Sequence, residues 1–378
     1  MREQRSNGYK KLLVLFCMGL LGVTKGYAEE IKTPKATSAM VVNNSTIDII
    51  LDNNQRMTFD FYADNIVRLF QDNSGNILRD PEAKPDAKIL VSNPRRPISK
   101  ISIRETSDSI FINNSAITIA MAKSNTLFKV INKANNKTAI ESTAPIRFND
   151  RNVQLSLKTH ELEYFFGGGV QNGRFSHKGK KIAIENQNSW TDGGVASPTP
   201  FYWSTNGYGV MWYTFKKGTY DFGSTEKNQV TLEHQSSYLD LFLMVNEGMI
   251  PLLNDFYQLT GNPVLIPKFG FYQGHLNAYN RDFWKEDEKG ILFEDGKRYK
   301  ESQKDNGGIK ESLNGEKNNY QFSARAVIDR YKNHDMPFGW LLPNDGYGAG
   351  YGQTESLDGN IQNLKSLTDY ANKNGVEI

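Results

Sequence analysis

Residues 238–273 read YLDLFLMVNEGMIPLLNDFYQLTGNPVLIPKFGFYQ, and the periodicity changes twice within them. Residues 238–245 (YLDLFLMV) read as a strand. In residues 251–259, Leu252, Leu253, Phe256 and Leu259 fall at helical spacing. Pro251 suits a first helical turn, and Gly261 with Pro263 ends the helix. Residues 268–273 (KFGFYQ) then read as an apolar strand. A β region therefore gives way to α/β order near residue 250.

Upstream, short runs alternate with period two between clusters of Asn, Asp, Gly and Ser. Examples are residues 46–51 (TIDIIL), 58–62 (TFDFY), 100–104 (KISIR), 109–112 (SIFI), 116–120 (AITIA), 127–131 (LFKVI) and 152–157 (NVQLSL). Further strands are read at 209–215 and 229–233. Such runs, with almost no helical pattern, predict antiparallel sheets packed as an all-β sandwich over residues 45–249. Residues 29–44 are polar and read as a loose linker. Residues 250–266 form a connecting helix and linker.

Downstream, a polar stretch at about 280–320 contains KEDEKG and SQKDNGG and reads as a long surface loop. A helix is expected over 322–334 (FSARAVIDRYKNH), a strand over 337–342 (PFGWLL) and a helix over about 360–374. Gly375 stands as its C-cap, and a strand begins at Val376. Strand, helix, strand, helix, strand is α/β order with parallel pairing. Lys268 to Ile378 is 111 residues, whereas a (β/α)₈ barrel takes ~250. The expectation is an N-terminal part of a longer protein, with residues 267–378 the start of an incomplete TIM barrel.

The chain has 378 residues, of which 12% are aromatic, and a formal charge of +3. Residues 1–28 carry +4 of that charge, so no basic body remains to suggest a nucleic-acid partner. Those 28 residues read as a signal peptide: Lys10 and Lys11, then twelve apolar residues (12–23), then Gly26 and Ala28 before the cut. Twelve residues rise only ~18 Å as a helix against a ~30 Å hydrocarbon core, which argues against the competing membrane-anchor reading. A secreted or periplasmic protein follows, with no integral membrane segment after cleavage. Cys17, the one cysteine, lies in this leader, so disulfides are not expected in the mature chain. Gly167-Gly168-Gly169 lacks the Gly-Lys-Ser/Thr of a phosphate loop, and the five histidines are isolated, so neither a cofactor nor a metal is expected.

Several stretches resemble glycoside hydrolase family 31, over roughly residues 160–378. The most specific is 257–271, YQLTGNPVLIPKFGF, similar to the family's Y-x-x-L-T-G-x-P … P-x-W-x-L-G-Y/F entry into its barrel. Residues 166–172 (FGGGVQN) and 176–179 (SHKG) are similar to its Y-G-L-G-E and L-x-x-K-G segments, with Gln171 where glutamate is usual. Residues 200–203 (PFYW) and 207–210 (GYGV) resemble its P-F-Y … G-Y-G-V strand pair. The resemblance implies a galactose-mutarotase-like sandwich before a (β/α)₈ barrel. It also implies exo-acting, retaining hydrolysis of terminal α-linked sugars, with an oligosaccharide or glycan as substrate. The nucleophile and acid/base are then expected beyond Ile378, and the chain alone is expected to be inactive.

Where the family ends its second barrel strand with W-x-D-x-D-Y, this chain has WLLPNDGYG (340–348). Trp340, Asn344, Asp345 and Tyr347 are thus candidate substrate-binding residues, Asn344 and Asp345 competing for one aligned position. An aspartate there accepts hydrogen bonds from two sugar hydroxyls, while Asn-Asp-Gly equally closes a strand as a turn. This strand end resembles the α-galactosidase and α-N-acetylgalactosaminidase branch more than the α-glucosidases or α-xylosidases. His275 and Asn277, at the end of YQGHLN (272–277), are further candidates. So are Trp190 and Asp192 in NQNSWTDGG (186–194), one by stacking on a sugar face, the other by polar contact or as a turn residue. The rival reading is a non-catalytic carbohydrate-binding sandwich, complete before residue 250.

Overall fold

The computed structural model describes residues 33–77, 88–149, 151–276, 283–302, 304, 306–310, 320–342 and 361–378. The leader lies outside them. Contacts divide the chain into two compact units, Met1–Asn262 and Pro263–Ile378. Among the described residues no helix is long and apolar enough to cross a membrane.

The first unit begins with β1 (Ala36–Val41), β2 (Thr46–Leu51), β3 (Arg56–Ala63) and β4 (Ile66–Asp72). Then come β5 (Ser102–Glu105), β6 (Ser109–Asn113), β7 (Ile117–Ala122), β8 (Phe128–Asn132) and β9 (Lys137–Glu141). The unit continues with β10 (Arg147–Phe148), β11 (Val153–Lys158), β12 (Phe165–Gln171), β13 (Lys181–Ile184) and β14 (Val195–Ser204). It closes with β15 (Tyr208–Trp212), β16 (Gly218–Phe222), β17 (Gln229–His234), β18 (Tyr238–Val245) and the helix α1 (Met249–Thr260). An eight-stranded sheet, ordered β1-β2-β3-β4-β18-β15-β14-β12, faces two five-stranded sheets, β5-β6-β7-β8-β9 and β10-β11-β17-β16-β13. Their shared interior holds Ile47, Phe59 and Leu241 from the first and Ile119, Val130, Leu155 and Leu232 from the others. The strand periodicity thus does what a galactose-mutarotase-like sandwich requires, one face of each strand packing inward.

The central strands of the large sheet are buried on both faces. β3, for instance, points Met57, Phe59 and Phe61 into the sandwich. Tyr62, Phe201, Phe242 and Met244 form an outer cluster capped by Leu252 and Leu259 of α1. Phe256 of α1 stacks on Phe201 with centroids 4.2 Å apart. Within this doubly covered sheet, the Arg68 guanidinium donates to both oxygens of Asp240, Nε to Oδ1 at 2.7 Å and Nη2 to Oδ2 at 2.6 Å. Asp240 holds the buried Arg68 charged against the desolvation that opposes it.

Ala36–Val41, within the stretch expected to be a loose linker, is instead an edge strand paired antiparallel with β2. Only Ala36 of its residues is buried, so backbone pairing forms it and no apolar period marks it.

In the second unit a 3₁₀ turn, Lys268–Phe271, occupies most of the stretch expected to be a strand, and β19 spans Gln273–Leu276. Its parallel partner β23 (Phe338–Leu342) starts opposite Gln273. Residues before Gln273 therefore have no partner strand, and local bonds such as Tyr272 N to Phe269 O take over. The expected helices appear as α2 (Ala324–Asn333) and α3 (Ile361–Lys373). Ser323 caps α2 by accepting from the Ala326 amide at 3.1 Å. Gly375 takes φ +76° past the end of α3, and Glu377 bridges in parallel to Trp340. Val327 and Ile328 of α2, Leu367 and Ala371 of α3, Leu341 and Val376 make the core.

The stretch at about 280–320, expected to be a surface loop, contains three strands: β20 (Phe283–Leu292), β21 (Arg298–Ser302) and β22 (Ile309–Lys310). They form an antiparallel sheet ordered β21-β20-β22. Charged residues dominate its sequence, yet Trp284, Phe293 and Tyr299 all gather on Phe322, with centroids 5.0–5.3 Å away. Four widely spaced aromatics form a small core that local polarity conceals.

Two tests follow from the sandwich. Asp240→Leu should lose about 3–5 kcal/mol in denaturant unfolding because it strands a buried guanidinium, and Arg68→Met with Asp240→Leu should regain much of that. His234, fully buried, donates from Nδ1 to the Lys216 carbonyl and accepts from the Tyr220 hydroxyl at Nε2. Burial lowers its pKa to about 4, below the ~6.5 of the unfolded chain. Its contribution is then complete above pH ~6.5 and declines as pH falls toward 4, by up to about 3 kcal/mol. Urea midpoints across that window should drop for the native chain and flatten for His234→Leu.

Candidate substrate site

β19 and β23 run parallel and in register, Gly274 opposite Trp340, His275 opposite Leu341 and Leu276 opposite Leu342. Their carboxyl ends are therefore side by side, the end at which parallel α/β sheets carry their ligand groups. Asn344, Asp345 and Tyr347 follow directly after β23, and Asn277 follows β19; all four lie outside the described residues. His275 is placed by its backbone pairing alone.

Trp340 is half-buried, and its indole covers Gly274: a Cβ at 274 would come within 2.1 Å of the ring. Gly339 is held as closely, since a Cβ there would meet the Phe269 carbonyl oxygen at 2.4 Å. These two glycines let a tryptophan and a 3₁₀ turn lie flat on the strand pair. The sequence analysis passed over both, although a glycine inside a short apolar strand is the usual sign of such close approach.

The second candidate group sits in the first unit, on the segment 186–194 between β13 and β14. Asn172, just past β12, holds it. The Asn172 amide donates to the Gly194 carbonyl at 3.0 Å, its carbonyl accepts from Gly193 at 2.9 Å, and its side chain donates to the Ser189 carbonyl at 2.6 Å. The loop so fixed carries Trp190 at 72% exposure. The indole Nε1 donates to Asn188 Oδ1 at 3.1 Å, which orients the exposed ring. Asp192 is exposed beside Gly173, where a Cβ would meet its Oδ1 at 2.8 Å. The structure thus brings Trp190 and Asp192 onto one anchored loop, and Asn172 is the residue that makes it one.

The glycine run that precedes Asn172 is a bulge in β12. Gly167, Gly168 and Gly169 all have positive φ, and the pairing with β14 slips between Gly167 and Gly169. A Cβ at 169 would lie 2.1 Å from the Ser197 carbonyl oxygen. The buried His177 ring is 2.8 Å from the Gly167 carbonyl through Nε2 and steadies the bulge. Burial lowers its pKa, keeping it neutral. Among the described residues no group of three or more His, Cys, Asp or Glu is placed to hold a metal ion.

An exposed indole and carboxylate on a rigid loop suit a saccharide, whose ring offers C–H faces and hydroxyl edges. Residues 56–221 match the glycosyl hydrolase 31 N-terminal galactose mutarotase-like domain. The chain is 28% identical over 120 residues to an α-xylosidase of Emericella nidulans, covering 32% of this chain and 15% of that protein. It is 28% identical over 138 residues to α-xylosidase XylQ of Lactiplantibacillus pentosus, covering 35% and 17%. A family 31 dextranase of Flavobacterium johnsoniae, complexed with isomaltotriose, superposes with TM-score 0.71 at 15% identity, over 92% of this chain and 38% of its own. A family 31 α-xylosidase from a soil metagenome, complexed with xylose, gives TM-score 0.60 at 15% identity, over 90% and 46%. The match thus spans under a fifth of each curated relative and under half of each solved chain. Through its sandwich, the chain is related to glycoside hydrolase family 31.

Proposed function

We propose that this chain forms the sandwich and the first barrel strands of an exo-acting, retaining α-glycosidase that removes terminal sugars from oligosaccharides or glycans. The observation that carries this reading is the in-register parallel pair β19–β23 following a domain of family 31 type, with Asn344 and Asp345 immediately after β23. In this reading Asp345 accepts hydrogen bonds from adjacent hydroxyls of the terminal sugar; Trp190, on its own loop of the sandwich, offers a stacking face to a saccharide. Retention requires two carboxyl groups ~5–5.5 Å apart, a nucleophile and an acid/base. Neither is assigned within these residues, so the full-length protein supplies them and the 378-residue chain alone is inactive.

Two substrate classes have specific support. The Leu342-Pro-Asn-Asp-Gly strand end favours an α-galactoside or α-N-acetylgalactosaminide. The names of the two curated relatives favour an α-xyloside. Nitrophenyl α-galactoside, α-N-acetylgalactosaminide, α-xyloside and α-glucoside, given to the full-length protein, separate them. Tenfold preference for the first pair supports the strand-end reading, and preference for the xyloside or glucoside removes it. Turnover of none of the four leaves the carbohydrate-binding module as the better account. In an active protein, Asp345→Ala should lower kcat/KM about a hundredfold or more, as two charge-assisted hydrogen bonds are lost. Trp190→Ala should instead raise KM about three- to tenfold with kcat nearly unchanged.

A further inference from the structure

One end of the sandwich gathers the β3–β4, β6–β7 and β8–β9 turns, the residues after β18 and the flank of α1 around a cleft of about 690 Å³. A smaller depression on α1 continues it and shares Arg96, Asn246 and Asp255 with it. None of the described residues of the candidate substrate site lines either.

Asp255 organises the cleft. It is 2% exposed, and its Oδ2 accepts from Asn65 Nδ2 at 2.8 Å and from Asn246 Nδ2 at 3.2 Å. Among the described residues Oδ1 accepts no hydrogen bond, and the Arg96 guanidinium acts on the carboxylate through charge alone. Burial pushes its pKa up, and the two asparagine amides and the Arg96 charge oppose that rise without cancelling it. Arg96, exposed, lies on the same wall, near enough for its charge to act on Asp255. A buried acceptor and an exposed planar donor thus line one open space.

The remaining lining decides what fits between them. Lys133 and Glu247 cancel in charge, and each is already engaged, Lys133 Nζ with the Asn114 carbonyl and Glu247 with Asn135 Nδ2. An anion such as phosphate would meet the Asp255 carboxylate, and a divalent cation would meet Arg96. A neutral ligand bearing adjacent hydroxyls both donates and accepts, and the half-buried Tyr257 on the α1 side offers an aromatic wall. We propose that this cleft is a second saccharide-binding site, in which Asp255 accepts from, and Arg96 donates to, neighbouring hydroxyls of a neutral sugar. It stands independently of the glycosidase reading, because it involves neither the barrel strands nor the Trp190 loop.

Saturation-transfer NMR titration of the 378-residue chain with isomaltotriose tests it. Saturable binding with a Kd of about 1–10 mM is expected, weakened at least about fivefold by Arg96→Ala and by Asp255→Asn. Trp190→Ala removes only the share of binding owed to its own loop, so the binding that depends on Arg96 and Asp255 should persist in it. Asp255→Asn keeps an oxygen for the two asparagine amides, and thermal melting checks that it folds. Should it not fold, Arg96→Ala decides alone, since that side chain is exposed and packs against nothing essential. No saturation up to about 50 mM overturns the proposal. So does a Kd indifferent to Arg96→Ala, loss of all binding in Trp190→Ala, or tighter binding of inorganic phosphate or calcium than of the sugar.

Discussion

The ion pair between Arg68 and Asp240 crosses the one seam of the eight-stranded sheet that joins strands far apart in sequence. On one side lie β1 to β4; on the other, β18, β15, β14 and β12. The two residues are 172 apart, and both are buried in a sheet covered on its two faces. A charge taken out of water there is tolerated only with its partner, so the pair fixes which strand lies beside which. Asn65 reaches Asp255 across 190 residues near the end of the same seam, so α1 settles where β4 and β18 meet. The outer aromatic cluster then has a lid, and the sandwich has a cleft at one end.

The same constraint explains why residues 238–245 read as they do. In a two-layer sandwich with a wet outer face, a strand alternates apolar and polar. Here Phe242 and Met244 pack under α1 while Leu241 and Leu243 pack inward, so the run is apolar throughout except for Asp240. A single aspartate inside an otherwise apolar strand was the visible trace of a buried partner. Its identity as Arg68 was not visible, because nothing local links the two.

The candidate binding groups rest on residues that leave room or hold backbone. Trp190 is displayed because Asn172 closes the base of its loop with three hydrogen bonds. Trp340 lies against β19 because residue 274 has no side chain. The glycine run at 167–169 bulges β12 directly before Asn172. Motif reading drew attention to the tryptophans and carboxylates, which carry chemistry. It passed over the glycines and the asparagine, which act through geometry.

The amino-acid sequence alone determined the alternation of the sandwich strands, the helix at 251–259, the change to α/β order and the relation to family 31 glycosidases. Each is written in local periodicity or a contiguous motif, which hydrophobic burial converts directly into structure. Tertiary structure alone decided that residues 36–41 are a strand, that the charged stretch after Leu276 contains a sheet, and that β19 begins only at Gln273. Those outcomes depend on a distant partner: β2 for the first, Phe322 for the second, β23 for the third. A strand edge or an isolated aromatic has no preference of its own until another part of the chain supplies the hydrogen bonds or the buried surface.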